Sequence, residues 1–184
     1  MDSKINLDTL ISKSDLTLGV LSDTHNQLND IVLESLQNCD VIVHAGDIGD
    51  ANVLNNLGIH AKYVFPVRGN NDTEEKWPEQ DLAALENIPD NLELHFNNKI
   101  IAVTHGHQFY KVETRHDKLR EQFPHADIII YGHSHRIACD RQMQPWVINP
   151  GAGGYTRTFG GASCIKINYT RGDWSVEKFR VSEE

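Results

Sequence analysis

The sequence predicts an α/β fold in which two mixed β-sheets pack as a sandwich flanked by helices. Apolar, strand-like runs alternate with helical patterns through the first half of the chain, which favours parallel strands. The second half is mostly strand-like and the alternation weakens, so antiparallel pairing is expected there. A single doubly wound sheet is the alternative. The 184 residues suit one domain, which we place at 16–184 after an N-terminal arm or short extra helix at 1–15.

The first half contains three short apolar runs that we interpret as buried strands, at residues 16–21, 41–45 and 61–68. Two helical patterns lie between them, at residues 28–38 and 51–57. The order strand–helix–strand–helix–strand is typical of a parallel sheet.

The second half begins with a linker at 74–90 that contains a short helix and an exposed loop at Trp77-Pro78. A hairpin is expected at 91–107, because two strand-like runs flank Asn97-Asn98, a pair that suits a tight turn. The remaining predicted elements are an exposed helix at 113–123, a buried strand at 126–135, and strands around 146–149, 162–168 and 173–179.

Composition excludes several classes of partner. A formal net charge of −9 disfavours a nucleic-acid polymer, because such binding depends on Lys and Arg neutralising phosphates. A small phosphorylated substrate is compatible, since a local cation overrides the global field. No apolar segment is long enough to cross a bilayer, and the polar N-terminal stretch does not resemble a secretory signal. The scattered cysteines Cys39, Cys139 and Cys164 argue against a disulfide framework and favour a cytoplasmic location.

Side chains of metal-binding types follow the predicted strands, in the motifs SDTH, GD, GNND, THGH and GHSH. In open α/β sheets, ligands bind beyond the carboxyl ends of the strands. These side chains are therefore expected to converge, although they are far apart in sequence. The candidate set is Asp23, His25, Asp47, Asn70, His105, His133 and His135.

The chemistry of this set predicts a pair of divalent cations. Imidazole, carboxylate and amide donors without thiolate suit Mn, Fe, Zn or Ni and argue against a structural zinc site. The seven donors are too many for one tetrahedral ion and suffice for two if one carboxylate bridges them. Two metals about 3.5–4 Å apart can clamp an in-line phosphoryl displacement. Because only Asp23 and Asp47 are anionic, the loaded site would be net positive and suited to a phosphate.

Taken in order, SDTHN, GD, GNND, THGH and GHSH resemble the motifs of the calcineurin-like metallophosphoesterase family. The short chain and the GNND form are most similar to its small bacterial and archaeal phosphodiesterase branch. The resemblance extends from about residue 16 to residue 151. It implies a four-layer α/β/β/α sandwich and a metal-bridging hydroxide as nucleophile, which is reasonable because coordination lowers the pKa of water to about 7.

The resemblance also implies a ligand assignment. Asp23, His25 and His135 would hold the first metal, Asn70, His105 and His133 the second, and Asp47 would bridge them. The expected cofactors are two divalent ions per chain, with Mn²⁺ first and Fe, Ni, Zn and Mg as alternatives.

One position departs from the family pattern, since many members have His after the GN and this chain has Asn71. Asparagine cannot deliver a proton, so we expect a bias toward good leaving groups or a substitute acid. His107 is the candidate acid; a structural loop histidine is the alternative. Asp72 is expected to orient Asn70 or a metal-bound water. Asn71 and Arg68 are candidate substrate contacts, with a strand-end salt bridge as the alternative for Arg68.

Two further features lie beside the motifs. His44, inside the predicted strand 41–45, is expected to be a hydrogen-bonded core histidine. The segment Asn149-Pro150-Gly151 resembles the NPG turn of the small phosphodiesterases, and it either borders the active site or is a structural turn.

The motifs together predict a metal-dependent phosphoesterase, and within that class a phosphodiesterase acting on small phosphodiesters. The resemblance and Asn71 both favour diesters, because aryl or nucleotide leaving groups need less protonation. A phosphomonoesterase is one alternative. A non-catalytic scaffold is another, because the same fold serves as a subunit of the retromer coat. In a scaffold we expect a broken ligand set, whereas every position here holds a competent donor. A homo-oligomer is left open as a partner, since small-branch relatives often self-associate.

Overall fold

Eleven strands and four α-helices form the fold in the computed structural model, which describes residues 2–182. The strands are β1 (Asp2–Asn6), β2 (Leu16–Leu21), β3 (Val41–His44), β4 (Tyr63–Pro66), β5 (Asn91–Phe96), β6 (Lys99–Thr104), β7 (Ile128–Ile130), β8 (Ile137–Asp140), β9 (Trp146–Pro150), β10 (Ser163–Thr170) and β11 (Asp173–Arg180). The helices are α1 (Asp30–Ser35), α2 (Ala51–His60), α3 (Leu82–Glu86) and α4 (Arg115–Gln122).

The strands form two mixed sheets. The five-stranded sheet has the order β11-β10-β2-β3-β4, in which β2, β3 and β4 are parallel and β10 pairs antiparallel with both neighbours. The six-stranded sheet has the order β1-β5-β6-β7-β9-β8, in which β6, β7 and β9 are parallel. The predicted two-sheet fold is therefore confirmed, and the single doubly wound sheet is excluded.

The two sheets face each other across the central core. Val41 and Val43 of β3 point into this core, whereas Ile42 between them faces the helices outside. In β7, Ile129 faces outward and its two isoleucine neighbours point inward. Successive side chains of a strand point to opposite faces. Both strands are thus buried on both sides, which explains their unbroken apolar sequences.

Helices cover both outer faces of the sandwich. On the five-stranded sheet, Leu36 after α1 and Leu57 of α2 pack in one cluster with Ile42. On the six-stranded sheet, Leu119 of α4 packs with Ala102 of β6. The result is the four-layer α/β/β/α arrangement.

Local sequence explains where the helices begin and where the hairpin turns. Asn29 accepts hydrogen bonds from the first backbone N–H groups of α1, and Asp50 accepts one from Val53 at the start of α2. Asn97 and Asn98 both have positive φ angles, of 48° and 60°, as a two-residue hairpin turn requires. The predicted hairpin is therefore confirmed as β5 and β6.

The N-terminal segment does not form a free arm: residues 2–6 form a strand, and a short 3-10 helix follows at Leu7–Thr9. β1 pairs in parallel with β5, and Leu7 and Ile11 are buried in the central core. The segment Asp2–Asn6 is polar and has one strong strand former, Ile5. Its pairing is a tertiary contact at the edge of the sheet, which the local sequence pattern does not predict. β8 was missed for the same reason, because it is a short edge strand with a mixed sequence.

The α-helices are short, and the longest, α2, has ten residues. None of the helices in residues 2–182 combines the length and apolarity that a membrane span requires. All three cysteines are free, so no disulfide contributes to the stability of the fold.

Candidate metal centre

The candidate ligands all lie in loops that follow the carboxyl ends of strands. Asp23 and His25 follow β2, Asp47 follows β3, Asn70 follows β4, His105 follows β6, and His133 and His135 follow β7. A hydrogen bond joins the loops of the two sheets, because Nδ1 of His105 donates to the carbonyl oxygen of Ala45 at 2.8 Å. The two sheets therefore contribute ligands to one common site.

Five of these residues have positive φ angles, which non-glycine residues seldom adopt. The angles are 55° for Asp23, 48° for His25, 55° for Asp47, 65° for His133 and 55° for His135. Each such residue costs about 1–3 kcal/mol and persists only where its surroundings enforce it. A cluster of strained backbone at one site is typical of function.

Four candidates form a compact first group, in which one ligand atom of each lies within 4.8 Å of the others: Asp23, His25, Asp47 and His135. Nε2 of His135 lies 3.3 Å from both Oδ1 of Asp23 and Nε2 of His25. The imidazole rings of His25 and His135 stack with centroids 5.2 Å apart. Nε2 of His25 lies 3.8 Å from Oδ2 of Asp47.

The other three candidates form a second group around the same Asp47. Nε2 of His105 lies 3.4 Å from Oδ1 of Asp47, and the rings of His105 and His133 are 5.3 Å apart. Nδ1 of His133 lies 3.0 Å from Oδ1 of Asn70. Asp47 thus presents one carboxylate oxygen to each group.

Two glycines allow the loops to approach this closely. A Cβ atom on Gly46 would lie 2.6 Å from Nδ1 of His105, and a Cβ atom on Gly69 would overlap the carboxylate and backbone of Asp47. Gly46 also has a φ of 92°, which favours glycine. Substitution at either position would push the ligand loops apart.

Burial sets the charge state of the imidazoles. It lowers the pKa of His133 to about 4, with the nearby His105 adding to the effect. It likewise lowers the pKa of His135 to about 4, with Arg157 as the next cause. The pKa of His25 is lowered too, chiefly by burial. Neutral imidazoles offer a lone pair to a cation.

The carboxylates of Asp23 and Asp47 have pKa values that are shifted in opposite directions. Burial raises the pKa of Asp23 to about 7, because the nearby His105 offsets the desolvation only in part. Burial alone would also raise the pKa of Asp47, but the interaction with the nearby His105 and the hydrogen bonds from Asn71 outweigh it and hold that pKa well below its usual range. Desolvation likewise opposes protonation of His105, yet Asp47 and Asp23 together raise its pKa.

The residues present fit divalent cations. Both carboxylate oxygens of Asp23 and Nε2 of His105 are buried without a hydrogen-bond partner among residues 2–182. An unpaired buried polar group costs free energy, and a bound cation would compensate it. The ring of His105 is oriented through Nδ1 by the backbone, as is usual for a histidine that ligates a metal. The N and O donors without thiolate suit Mn, Fe, Zn or Ni.

The side chain of Asp72 makes its hydrogen bonds with backbone groups and Trp77 rather than with the side chain of Asn70. Its buried carboxylate accepts hydrogen bonds from the backbone N–H groups of residues 48–49 and Gly69 and from the indole of Trp77. These bonds tie the loop after β3 to the loop after β4. Trp77 is only 4% exposed, which corrects the expected exposed loop.

Asn71 faces Asp47 rather than open solvent. Its Nδ2 donates to Oδ2 of Asp47 at 2.7 Å, and its backbone N–H donates to Oδ1 at 2.8 Å. Its Oδ1 accepts a hydrogen bond from the exposed Lys76. Asn71 therefore holds both oxygens of the shared carboxylate. Lys76 could not be predicted from the sequence, because no motif surrounds it.

A cavity of about 390 Å³ adjoins the second group, and Arg68 and His107 line it together with Asn70 and His105. The guanidinium of Arg68 donates to two backbone carbonyls at the C-terminal end of α3, at 2.8 and 2.6 Å. Among residues 2–182 it forms no salt bridge, which corrects that expectation. His107 is exposed, with its ring 5.7 Å from that of His105 and 6.3 Å from that of His133.

Arg157 approaches the first group and was not among the residues predicted from the sequence. Its Nη2 lies 3.1 Å from Nε2 of His25. It belongs to the loop that follows the NPG turn at 149–151, and that nearness is the one feature of the sequence that could have indicated it.

Two donor groups that share a carboxylate, at the strand ends of a four-layer sandwich, are typical of metallophosphoesterases. The family described as the calcineurin-like phosphoesterase superfamily domain matches residues 16–171. The chain therefore belongs to the calcineurin-like phosphoesterase superfamily, whose members use divalent metals.

Curated relatives are archaeal and bacterial proteins of the same family. The chain is 31% identical to the probable metallophosphoesterase MJ0623 of Methanocaldococcus jannaschii over 146 residues, which covers 74% of this chain and 68% of the relative. It is 26% identical to the phosphodiesterase MJ0936 of the same organism over 147 residues, covering 74% of this chain and 83% of that protein.

Solved structures share the fold. A conserved protein of Streptococcus pneumoniae, a predicted phosphoesterase, matches with a TM-score of 0.65 and 20% identity over 91% of each chain. Vacuolar Protein Sorting 29 of Cryptosporidium parvum matches with a TM-score of 0.68 and 14% identity over 93% of this chain and 100% of that chain. At these identities the similarity concerns the fold alone.

Proposed function

We propose that the protein is a metal-dependent phosphodiesterase that hydrolyses small phosphodiesters. The observation that carries the proposal is the position of Asp47, whose Oδ2 faces His25 and whose Oδ1 faces His105. In this proposal Asp23, His25 and His135 hold one divalent cation, Asn70, His105 and His133 hold the second, and Asp47 bridges the two. Mn²⁺ is the cation that we propose first.

The bound cations would supply a water of lowered pKa and would polarise a phosphoryl oxygen. The protein's own groups prepare the site for this chemistry. Asn71 donates two hydrogen bonds to Asp47 and fixes the orientation of its carboxylate. Ala45 fixes the ring of His105. Asp72 locks the two loops that carry Asp47 and Asn70.

His107 is the group that we place beside the leaving oxygen. It is exposed, it lines the cavity next to the second group, and its ring is within 6.3 Å of that of His133. A histidine there can donate a proton to a departing alkoxide or phenolate, which is typically worth about 10²–10⁴-fold in rate. Asn71 cannot serve this role, because both ends of its amide are engaged and an amide is not an acid.

Two observations support a diester over a monoester. The relative that is 26% identical is named a phosphodiesterase. Asn71 stands where many family members have histidine, which favours leaving groups that need little protonation. A scaffold role has no comparable support, since each of the seven positions holds a donor side chain.

The test compares bis-p-nitrophenyl phosphate with p-nitrophenyl phosphate, using chelator-treated protein reloaded with each of Mn²⁺, Fe²⁺, Ni²⁺, Zn²⁺ and Mg²⁺. We expect faster hydrolysis of the diester, about two metal ions per chain by elemental analysis, and loss of activity on chelation. Asp173→Asn, at the first residue of β11, is the control for Asp47→Asn. Preference for the monoester would indicate a phosphomonoesterase. No turnover with any metal would favour the scaffold.

A further inference from the structure

We propose that the loop of residues 155–159, together with Arg136, forms the subsite for the retained arm of the substrate and selects a planar aromatic ring on that arm. We call residues 155–159 the aromatic loop, because Tyr155 and Phe159 begin and end it. The proposal rests on the proposed phosphodiesterase function and adds the substrate class.

Both ends of the aromatic loop are fixed, and the N-terminal end lies beside the loop that carries Asp23 and His25. On one side, Gly153 donates to the carbonyl of Ser22 at 2.7 Å, and a Cβ atom on Gly154 would lie 2.6 Å from the carbonyl oxygen of Thr24. On the other side, Val181 donates to the carbonyl of Ala162 at 2.8 Å. The segment between these anchors is thus held next to the loop that carries Asp23 and His25.

The aromatic loop is strained and exposes its rings. Arg157 and Phe159 have positive φ angles, of 53° and 42°, which are uncommon for side chains of this size. Phe159 is 47% exposed and Tyr155 is 56% exposed. Strain of this kind persists only where the surrounding structure enforces it, and neither ring belongs to a core cluster among residues 2–182.

Charge places a phosphate beside this loop. Arg157 lies 3.1 Å from His25, and within residues 2–182 neither Arg157 nor Arg136 makes an ion pair with a carboxylate. The chain carries 26 acidic and 17 basic residues, so arginines without an acidic partner stand out. A guanidinium next to divalent cations is repelled unless an anion lies between them. A phosphoryl oxygen of the substrate supplies that anion.

Arg136 connects the ring of Phe159 with the second group of candidate ligands. The guanidinium carbon of Arg136 lies 3.8 Å from the ring centroid of Phe159. Arg136 also lines a cavity of about 400 Å³ with His133, a proposed ligand of the second metal. A substrate whose phosphate lies at the centre can therefore extend one arm to Phe159, where a planar ring stacks on the exposed surface.

The test varies the retained arm and keeps the leaving group constant. The substrates are three phosphodiesters that share p-nitrophenol as the leaving group. The other ester group is methyl, phenyl or a nucleoside attached through its 5′ oxygen, and each is assayed with the Mn²⁺-loaded protein. We expect kcat/KM for the phenyl and nucleoside diesters to exceed that for the methyl diester about 10-fold, the usual scale of ring stacking. Phe159→Ala should lower the ratio of kcat/KM for the phenyl and methyl diesters from about 10 to about 1, and Phe159→Leu should keep part of that ratio. An unchanged preference in Phe159→Ala would overturn the proposal.

Arg157→Ala should lower kcat/KM for all three diesters together, because the phosphate is common to them. Arg171→Ala is the matched control, since Arg171 also has a positive φ, of 54°, but lies in the β10–β11 turn. Equal activity of Arg157→Ala and Arg171→Ala would remove Arg157 from the subsite.

A binding measurement separates this proposal from the proposed function. Phenylphosphonate and methylphosphonate cannot be hydrolysed, so calorimetric titration of the metal-loaded protein reports binding alone. We expect the wild type to bind phenylphosphonate about 10-fold more tightly than methylphosphonate. Phe159→Ala should bind the two phosphonates with equal affinity. Equal binding in the wild type would overturn the aromatic subsite. A phenyl preference without any diester turnover would support the subsite and contradict the phosphodiesterase.

Discussion

The indole N–H of Trp77 donates a 2.9 Å hydrogen bond to Oδ1 of Asp72, beneath the candidate metal centre. The same carboxylate accepts the backbone N–H groups of Ile48, Gly49 and Gly69. A single buried side chain thus holds together the loop after β3 and the loop after β4, which carry ligands of both groups. Asp72 acts on the centre through the backbone and does not contact it.

We expect Asp72→Asn to destabilise the protein by about 1–3 kcal/mol, because an amide nitrogen would face backbone donors that are now satisfied. Metal affinity should fall about 10-fold or more, as it does when outer groups that position ligands are changed. Urea unfolding in chelator and a competition titration with a chromophoric chelator measure the two effects. Trp77→Phe is the control, since it keeps the buried ring and removes one donor. Equal metal affinity in Asp72→Asn and the wild type would contradict this role.

The clustering of the candidate ligands could be predicted from sequence because each candidate follows an apolar run. Apolar runs that contain residues such as Val41 and Ile128 predict the buried strands. The carboxyl ends of parallel strands meet at one edge of a sheet. Five short motifs therefore predicted that seven side chains would lie close to one another in space.

The partners of the remaining polar side chains could not be predicted. Asp72 and Asn71 are adjacent in sequence, yet one faces backbone amides and the other faces Asp47. The hydrogen bonds of a polar residue depend on how the loops pack, and the spacing of residues in the sequence does not predict that packing. Arg157 was missed for the same reason, and β1 because its pairing with β5 is a contact at the edge of the sheet.

A second prediction concerns the buried charge of Asp23, whose oxygens have no hydrogen-bond partner among residues 2–182. In chelator at pH 8, Asp23→Asn should be more stable than the wild type by about 1–3 kcal/mol, because it removes an uncompensated carboxylate. Added Mn²⁺ should raise the Tm of the wild type and should have much less effect on the variant. Differential scanning calorimetry with and without Mn²⁺ measures both. The idea fails if Mn²⁺ stabilises Asp23→Asn as much as the wild type.

A third prediction compares the two carboxylates. Asp47→Asn should lower the occupancy of both metals, because Asp47 faces both groups, whereas Asp23→Asn should mainly affect the first group. Elemental analysis after dialysis against limiting Mn²⁺ gives the stoichiometry of each variant. Activity on bis-p-nitrophenyl phosphate should fall furthest in Asp47→Asn. Equal stoichiometry in the two variants would argue against a bridging carboxylate.

A fourth prediction concerns His107 on the rim of the cavity. His107→Ala should leave metal content intact, because the ring lies outside both donor groups. It should slow the hydrolysis of diesters with poor leaving groups by about 10²–10⁴-fold and leave p-nitrophenyl esters nearly unchanged. A series of phenols of rising pKa measures the dependence. Equal losses across the series would show that His107 is not the acid.

The last prediction concerns the pH dependence of stability, which we assign in part to His44. This residue is fully buried, and burial lowers its pKa to about 3. Because the hydroxyl of Thr24 donates to Ile48, Nε2 of His44 must donate to Thr24, at 2.9 Å, and burial keeps this core histidine neutral. Below an unfolded-state pKa of about 6.5 the unfolded chain binds a proton that the native state does not. Stability is therefore full above that pH and falls as the pH decreases toward 3.

His44→Gln tests this assignment, because glutamine can donate to Thr24 and does not titrate. Between pH 6 and pH 4, in chelator, the unfolding free energy of the wild type should fall more steeply than that of the variant, by up to about 1.4 kcal/mol per pH unit. Urea unfolding at several pH values gives both slopes. His125→Gln is the control, since His125 is exposed and its replacement should leave the slope unchanged. If His44→Gln and His125→Gln follow the same slope as the wild type, the buried histidine does not contribute to acid unfolding.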